Sequence, residues 1–281
     1  MDDLKFDSVS VEKFAHKIRW HIINTIIKNG EGHAGPSLSC ADIVATLYGA
    51  VMRYDPKNPG DDDRDRFIMS AGHKCLALYG GLIEAGIVDA EVLKTYNHLG
   101  TPVPAHPDMK KLSGVEFSTG SLGHGLSIGS GISLAAKLKN KSFRTFVLMG
   151  DGEQGEGSVW EAAAYASAKK LDNLIAIIDR NGLQINGTTQ KILDTSPLEE
   201  RWKSFGWHVA IADGHDPASL FEAFAGAPYH PGTPTLVICN TIKSKGMPFA
   251  EGDVHYHYWD PSPEEGELAI KALKEYEKRW A

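Results

Sequence analysis

The chain has 281 residues, enough for one large α/β domain with a substantial core. With 42% hydrophobic and 23% charged residues, its composition is that of an ordinary globular protein. The formal net charge of −7 argues against a surface for nucleic acid or anionic membranes, and no apolar run approaches the ~20 residues that a membrane span needs.

The start of the chain and its cysteines suggest a compartment. The first residues, MDDLKFDSVS, show no basic segment followed by an apolar one, so we expect no signal peptide. Cys40, Cys75 and Cys239 are widely spaced in apolar surroundings, without a zinc-binding pattern, and their odd number argues against a disulfide framework. We therefore predict buried free thiols in a protein of the reducing cytoplasm.

The hydrophobic pattern predicts helices alternating with strands, with a glycine-rich loop at 30–37 between the first two helices. In chain order, the prediction is helix 9–29, helix 39–52, strand 66–69, helix 74–85, helix 89–97, helix 118–138, strand 146–149, helix 158–170, strand 174–178, helix 197–205, strand 209–212, helix 217–225, strand 235–239 and helix 264–280. This alternation predicts an α/β fold, a parallel β-sheet flanked by helices on both faces. Because we find no repeat and no low-complexity linker, we interpret residues 1–281 as a single domain.

The most informative stretch is 143–187, which reads as a strand, a glycine turn, a helix, a second strand and a polar turn. Both strands are short apolar runs without polar alternation, as expected of strands buried on both faces. Together they form a parallel βαβ unit, and ligands of such sheets lie at the carboxyl ends of the strands. Asp151 and Asn181 follow these two ends and offer oxygen ligands.

Two chemistries compete for this stretch. The segment 150–155, GDGEQG, fits the glycine pattern of a nicotinamide-dinucleotide site, with Asp179 placed where a ribose-binding acid could lie. However, Asp151 and Glu153 put two carboxylates into a loop that would have to bind a pyrophosphate. A divalent cation that bridges these oxygens to phosphate removes the conflict, so we prefer a metal–diphosphate site.

At this point the sequence resembles the thiamine diphosphate-dependent transketolases. The resemblance lies in Gly-Asp-Gly-Glu at 150–153, in Asn181, which follows Asp151 by 181 − 151 = 30 residues, and in the flanking segments WEAA, LDNLIAIID and NGLQI. It implies the thiamin-diphosphate-binding fold of the diphosphate-binding (PP-type) domain. It also implies that Asp151, Asn181 and the Leu183 carbonyl hold Mg²⁺ or Ca²⁺ against thiamine diphosphate.

Four of the 12 histidines fall in loops at the ends of predicted elements: His33, His73, His106 and His257. Each lies in a segment similar to a transketolase segment that supplies an active-site histidine. The resemblance implies proton handling on sugar hydroxyls for His33 and His257, and contact with substrate hydroxyls for His106. His73 would lie near the diphosphate. Since the segment HYHYW departs from the family pattern, His255 is a rival to His257.

The resemblance also implies cofactor contacts in two glycine turns. Gly120, Ser121 and Leu122 match a turn beside the thiazolium, although Ser121 stands where many members have proline and could instead cap the next helix. The second turn is that of Gly150, Asp151, Gly152 and Glu153.

Three further charged residues match family positions. Lys243 matches a position near the diphosphate, or forms a solvated pair with Lys245. Glu156 and Glu161 match acids that couple the paired active sites, and for Glu161 an exposed helix position is the alternative. The remaining histidines are interpreted as structural or solvated, namely His16, His21, His98, His124, His208, His215 and His230.

The resemblance covers only the diphosphate-binding half of a full transketolase. In the family, the glutamate that bonds the cofactor's pyrimidine lies in a second domain, so we expect a partner chain with the pyrimidine-binding and C-terminal domains, in an α2β2 assembly. The expected reaction transfers a two-carbon ketol unit from a ketose to an aldose, without fixing the sugars. Alternatives are a truncated chain, an α subunit of a 2-oxo-acid dehydrogenase, an NAD-binding oxidoreductase domain and a non-catalytic regulatory subunit.

Overall fold

The computed structural model describes residues 6–280, so residues 1–5 and 281 of the predicted domain lie outside the described part. Its main sheet has five parallel strands in the order β1-β2-β3-β7-β6, and β4 pairs with β5 in a small antiparallel hairpin. The strands are β1 Arg66–Met69, β2 Thr145–Gly150, β3 Leu174–Arg180, β4 Leu183–Gln184, β5 Gly187–Thr188, β6 His208–Asp213 and β7 Thr235–Asn240.

Helices cover both faces of the main sheet. They are α1 Ser8–Asn29, α2 Ala34–Ser39, α3 Ala41–Thr46, α4 Cys75–Glu84, α5 His124–Leu138, α6 Gly157–Ala168, α7 Thr189–Leu193, α8 Leu198–Ser204, α9 Pro217–Ala225 and α10 Pro263–Glu277. Short 3₁₀ or π turns occupy Leu47–Val51, Gly72–Lys74, Ala90–Thr95, Gly152–Gly155, Val254–His257 and Lys278–Trp280. The predicted α/β class and the covered parallel sheet are confirmed.

Strand side chains divide the interior into two cores, one on each face of the sheet. Phe146 and Leu148 of β2 join the larger core with α1, α3 and α4, whereas Val147 and Met149 join the second core with α5, α6 and α8. This alternation follows from the period of two along a strand. All three cysteines are buried free thiols, as predicted, and burial raises the pKa of Cys40 and of Cys75 to about 12.

Several predicted boundaries are wrong. Residues 34–39 form α2, which includes the last four residues of the predicted glycine-rich loop, and Pro36 fits because it lies in the first helical turn, where its missing N–H is tolerated. Gly35 is needed there for close packing, since a Cβ at this position would lie 2.5 Å from the Tyr256 carbonyl oxygen.

Other elements begin or end differently from the prediction. Helix α5 begins only at His124, after Gly123 in the left-handed region (φ 84°). Strand β3 extends to Arg180, so that Asp179 lies within the strand rather than in the turn after it. The predicted helix 39–52 is divided at Thr46, and 89–97 is a 3₁₀ turn at Ala90–Thr95. The β4–β5 hairpin and α7 were not predicted.

No helix within residues 6–280 combines the length and the apolar character that crossing a membrane requires.

Candidate functional site

A cleft of about 410 Å³ lies at the carboxyl edge of the main sheet, above the ends of β1, β2 and β3. Most of the predicted site residues line it, namely His33, His73, His106, Gly120, Leu122, Gly150, Asp151, Gly152, Glu153, Glu156, Asn181, Leu183, Lys243 and His257. Ser121 and Glu161 do not line the cleft, and both are exposed. The N-cap of α5 is Gly123, so Ser121 does not cap that helix.

The four predicted histidines form one cluster, although each comes from a different segment. The ring centroid of His33 lies 5.5 Å from that of His73, 6.0 Å from that of His106 and 5.6 Å from that of His257. The rings of His73 and His257 are 5.3 Å apart. The rival His255 points away, because its side chain is 86% exposed and pairs with Asp253. The cluster therefore contains His257 and not His255.

Burial keeps three of the four clustered imidazoles neutral. It lowers the pKa of His33 to about 4, of His257 to about 3 and of His73 to about 2, with further lowering by nearby cationic or histidine side chains. Burial also lowers the pKa of His106. A neutral imidazole has one donor and one acceptor nitrogen, which suits recognition of hydroxyl groups. The Nδ1 atom of His33 is buried and has no hydrogen-bond partner among residues 6–280.

We expect His73 to make the chain less stable as the pH falls from 7 to 5. The folded chain keeps this ring neutral, because its pKa is about 2, whereas the unfolded chain protonates it near pH 6.5. The unfolded state then binds more protons, so below pH 6.5 the free energy of unfolding falls by up to about 1.4 kcal/mol per pH unit. Urea denaturation at pH 7.5 and pH 5 should show a smaller pH-dependent loss for His73→Gln than for wild type.

The control for this prediction is His21→Gln, since His21 pairs with Glu84 outside the cleft. Between pH 7.5 and pH 5, His21→Gln should lose as much free energy of unfolding as wild type does. Equal pH dependence in wild type and His73→Gln would contradict the burial of a neutral ring at position 73.

Lys243 adds a buried cation to the cluster. Only 1% of it is exposed, and its Nζ lies 3.0 Å from His257 Nδ1 and 3.5 Å from the Gln184 carbonyl oxygen. Because the ammonium group donates, His257 Nδ1 accepts and the proton of that ring lies on Nε2. Burial lowers the pKa of Lys243 to about 8. The alternative of a solvated pair with Lys245 is wrong, because Lys243 is buried, and Lys245 lies 3.8 Å from Glu251.

The acidic side of the cleft is built on the turns after β2 and β3. Asp151 is buried, and its carboxylate accepts hydrogen bonds from the backbone N–H groups of Gly152 (2.8 Å) and Gly182 (2.6 Å). Burial, with the nearby Asp179 carboxylate, raises the pKa of Asp151 to about 6. The Oδ1 atom of Asn181 accepts from the backbone N–H of Leu183 at 3.1 Å.

These features fit a divalent cation. A buried carboxylate whose pKa is raised is stabilised in its charged form by a nearby metal ion. Among residues 6–280 no group of three His, Cys, Asp or Glu side chains is placed to hold a metal. A cation here would therefore need the Asn181 amide and a backbone carbonyl as well as Asp151, and such neutral oxygens are ligands that Mg²⁺ and Ca²⁺ accept.

Glu153 ties the two glycine turns together. Its Oε1 accepts from Ser70 Oγ (2.5 Å) and from the Gly123 N–H (2.7 Å), and its Oε2 accepts from the Gly150 N–H (3.0 Å). Gly123 must be glycine, because φ is positive and a Cβ would lie 2.4 Å from Ser158 Oγ. The two turns thus have a fixed spacing at the edge of the cleft.

Sequence reasoning missed Lys74, which also lines the cleft and is fully buried in an ion pair with Asp179. Asp179 also accepts hydrogen bonds from the hydroxyls of Ser39 and Thr241. The available signal was a lysine at the start of the uniformly apolar segment CLALYG, where a charge needs a partner.

Other predicted residues lie at the rim or outside the cleft. Glu156 is the exposed N-cap residue of α6, and Glu161 is exposed on the same helix. Among the histidines interpreted as structural, His16 lies near Glu277 and His215 near Asp42.

Comparison with known proteins places this geometry in a family. The model of the family described as transketolase, thiamine diphosphate binding domain, matches residues 10–274. One subunit of the apulose-4-phosphate transketolase of Phocaeicola vulgatus is 40% identical over 266 residues, which cover 95% of this chain and 94% of that protein. The 6-deoxy-6-sulfo-D-fructose transketolase subunit SqwG of Clostridium sp. (strain MSTE9) is also 40% identical, over 95% of this chain and 97% of that protein.

Solved transketolase structures share the fold of this chain. The transketolase from Campylobacter jejuni aligns with a TM-score of 0.89 and 31% identity, covering 96% of this chain but 43% of that one. The chain thus spans nearly all of the related subunits and less than half of this longer transketolase. These matches give no support to a 2-oxo-acid dehydrogenase, a nicotinamide-dinucleotide enzyme or a regulatory subunit. The chain belongs to the transketolase family and corresponds to its N-terminal, thiamine diphosphate-binding domain.

Proposed function

We propose that this chain is the diphosphate-binding subunit of a two-subunit, cytoplasmic transketolase that depends on thiamine diphosphate and a divalent metal. The observation that carries the proposal is the convergence of Asp151, Asn181, Lys243 and the histidine cluster in one cleft at the carboxyl edge of the sheet. Thiamine diphosphate, when bound, supplies the carbanion equivalent that lets a two-carbon ketol unit pass from a ketose to an aldose.

The metal and the diphosphate would be bound at the acidic side of the cleft. Asp151, Asn181 and the Leu183 carbonyl would hold Mg²⁺ or Ca²⁺, because these are hard oxygen ligands at two adjacent strand ends. Lys243 and His73 would contact the phosphate oxygens, one as a cation and the other as a neutral hydrogen-bond donor.

The glycine turns would bind the rest of the cofactor. The turn at 150–153 would approach the diphosphate through its backbone, while the turn of Gly120, Ser121 and Leu122 would lie beside the thiazolium through Gly120 and Leu122, which line the cleft. Glu153 keeps these two turns together through its hydrogen bonds to Gly123 and Gly150.

The remaining histidines would orient the sugars. His33 and His257 would hold or move protons at hydroxyl groups of donor and acceptor, and His106 would bind substrate hydroxyls. The unpartnered Nδ1 of His33 supports this proposal, since a buried ring nitrogen without a partner is costly unless a ligand supplies one. Neutral rings can both donate and accept, so no charge on the substrate is required.

A partner chain would complete the enzyme in an α2β2 assembly, with the pyrimidine-binding and C-terminal domains on the partner. Near-complete coverage of two proteins named as subunits supports this arrangement. Glu156 and Glu161, exposed on α6, would then couple the paired sites across subunits. The names of those relatives refer to a sugar phosphate and a sulfonated sugar, so an anionic sugar derivative is the proposed substrate class.

Native mass spectrometry of the chain, purified from its own source at low salt, tests this proposal. We expect a second chain in equal stoichiometry and the mass of thiamine diphosphate with a divalent metal. Treatment with EDTA should remove the cofactor mass and keep the partner chain, because the proposed metal bridges only protein and diphosphate. A lone homodimer that binds no cofactor when thiamine diphosphate and Mg²⁺ are added would contradict the proposal.

A further inference from the structure

The backbone around Lys243 is held from outside the cleft at both ends of one short segment, Ile242–Lys245. At its start, the N–H of Ile242 donates to Nε2 of His215 at 2.8 Å. At its end, the carbonyl oxygen of Lys245 accepts from Nε of Arg19 at 3.1 Å. Lys243 lies between these two hydrogen bonds.

One carboxylate links the two anchors. Asp42, on α3, lies 2.7 Å from Nδ1 of His215 and accepts from both terminal nitrogens of Arg19, at 3.0 and 2.5 Å. Arg19 and Asp42 are buried, and the side chain of His215 is 15% exposed. Burial would raise the pKa of Asp42, but Arg19 and the His215 hydrogen bond lower it to about 2, so the carboxylate is charged.

The hydrogen bonds define the tautomer of His215. Because the backbone N–H of Ile242 is a donor, Nε2 must accept, so the ring proton lies on Nδ1 and is donated to Asp42. Replacement of either nitrogen by a group of the wrong type therefore breaks one link of the network. The same carboxylate fixes both His215 and Arg19.

The segment needs such support because its backbone is unusual. Ser244 has φ of 65°, which lies in the left-handed region that non-glycine residues seldom adopt. Ser244 N–H also donates to the Gly35 carbonyl oxygen at 3.1 Å, and the Lys243 carbonyl oxygen accepts from Gly252 N–H at 3.1 Å. These bonds fix the middle of the segment, whereas His215 and Arg19 fix its ends.

We propose that His215 is a positioning residue, which acts with Asp42 and Arg19 to fix the backbone of Ile242–Lys245 and so to hold Lys243 in the cofactor cleft. Its functional consequence rests on the proposed function, in which Lys243 contacts the diphosphate. His215 itself does not line that cleft, so it acts through the loop alone.

Two substitutions separate the links. His215→Asn keeps a donor for Asp42 near the position of Nδ1 but is too short to accept from the Ile242 N–H. His215→Gln can place its amide oxygen near the position of Nε2 and restore that acceptor. Hydrogen–deuterium exchange of the peptide containing Ile242–Lys245 measures how well its backbone is protected. Titration of thiamine diphosphate into the complex with its partner and Mg²⁺ measures the effect on cofactor affinity.

For His215→Asn we expect exchange of this peptide to rise about 3- to 10-fold and the Kd for thiamine diphosphate to rise by a similar factor, as the loss of one hydrogen bond predicts. His215→Gln restores the acceptor for the Ile242 N–H but not the donor to Asp42, so it should change both measurements by less than His215→Asn does. A matched control is His21→Asn, because His21 also pairs with a carboxylate, Glu84, but on α4. It should change neither measurement.

The outcomes separate this inference from the proposed function. Unchanged exchange in His215→Asn, or equal effects of Asn and Gln, would overturn the positioning role. A parallel titration of Lys243→Ala should raise the Kd at least as much as His215→Asn does. If Lys243→Ala leaves the Kd unchanged, the proposed contact of Lys243 with the cofactor is wrong. Faster exchange in His215→Asn would still show that His215 stabilises the backbone of Ile242–Lys245.

Discussion

Replacement of Asp151 by alanine is expected to raise the Kd of the complex for thiamine diphosphate by at least about 100-fold at fixed Mg²⁺, since loss even of an outer partner of a metal costs 10- to 100-fold. Asp151 is the only carboxylate in the proposed ligand set, so the substitution removes the charge that attracts the cation. It also removes the acceptor of the Gly152 and Gly182 N–H groups, which hold the turns after β2 and β3 in place.

The Asp151→Asn variant separates the two causes. Asparagine keeps the size of the side chain and one acceptor oxygen, so it can retain one of the two turn hydrogen bonds while the metal ligand loses its charge. Isothermal titration of thiamine diphosphate at matched buffer and metal concentrations should therefore show weak binding for both variants. Thermal unfolding without cofactor should occur at a lower temperature for Asp151→Ala than for Asp151→Asn.

A matched control is Asp213→Asn, the same substitution at the carboxyl end of β6. Asp213 is exposed and does not line the cleft, so the Kd of this variant for thiamine diphosphate should equal that of wild type. Binding by Asp151→Asn within about 3-fold of wild type would show that the cation, if it binds, uses other residues. The proposed metal site would then be wrong, whereas the membership of the family would stand.

The sequence was sufficient to predict the main sheet because its strands are short apolar runs without polar alternation. Phe146–Met149 and Leu174–Ile178 alternate between two cores that are both apolar, which is why these runs show no polar positions. The carboxyl ends of adjacent parallel strands must meet at one edge. The proximity of Asp151 to the end of β3 therefore followed from topology alone.

Local signals failed where long-range packing decides the conformation. The glycine and proline content of 30–37 is typical of a loop, yet residues 34–37 lie in α2, where Gly35 is required by the neighbouring Tyr256 backbone. His255 and His257 are two residues apart in an irregular segment, and only the tertiary fold determines which of them meets His33. No periodicity distinguishes such positions.

The buried pair of Lys74 and Asp179 shows what the sequence leaves out and gives the second large prediction. Lys74 comes from the turn before α4, and Asp179 from the interior of β3, so the pair exists only in the folded chain. Burial alone would lower the pKa of Lys74 and raise that of Asp179. The opposite charge of the partner outweighs burial, so the pKa of Lys74 is raised, that of Asp179 is lowered, and both are charged. Each of the two buried charges therefore depends on the other.

Lys74→Met is expected to lower the free energy of unfolding by about 3–5 kcal/mol, the usual cost of leaving one buried charge without its partner. Urea denaturation of the purified chain measures this loss. The double variant Lys74→Met/Asp179→Asn should recover much of it, because the neutral amide leaves no unpaired charge: its oxygen can accept from one of the hydroxyls of Ser39 and Thr241, and its N–H can donate to the other. Lys94→Met, which removes an exposed partner of Glu91, is the control and should cost less than about 1 kcal/mol.

A loss below about 1 kcal/mol for Lys74→Met, or no recovery in the double variant, would show that Asp179 does not depend on Lys74 for its charge. The expected result also bears on the cleft. Asp179 raises the pKa of Asp151 and Lys74 lowers it, so removal of Lys74 takes away one cation that favours the charged form of both carboxylates. In Lys74→Met, the pKa of Asp151 should then be higher, and a metal ion should bind it less tightly because it must displace the proton. The buried lysine thus connects the stability of the sheet edge to the charge state of the residue on which the proposed metal site depends.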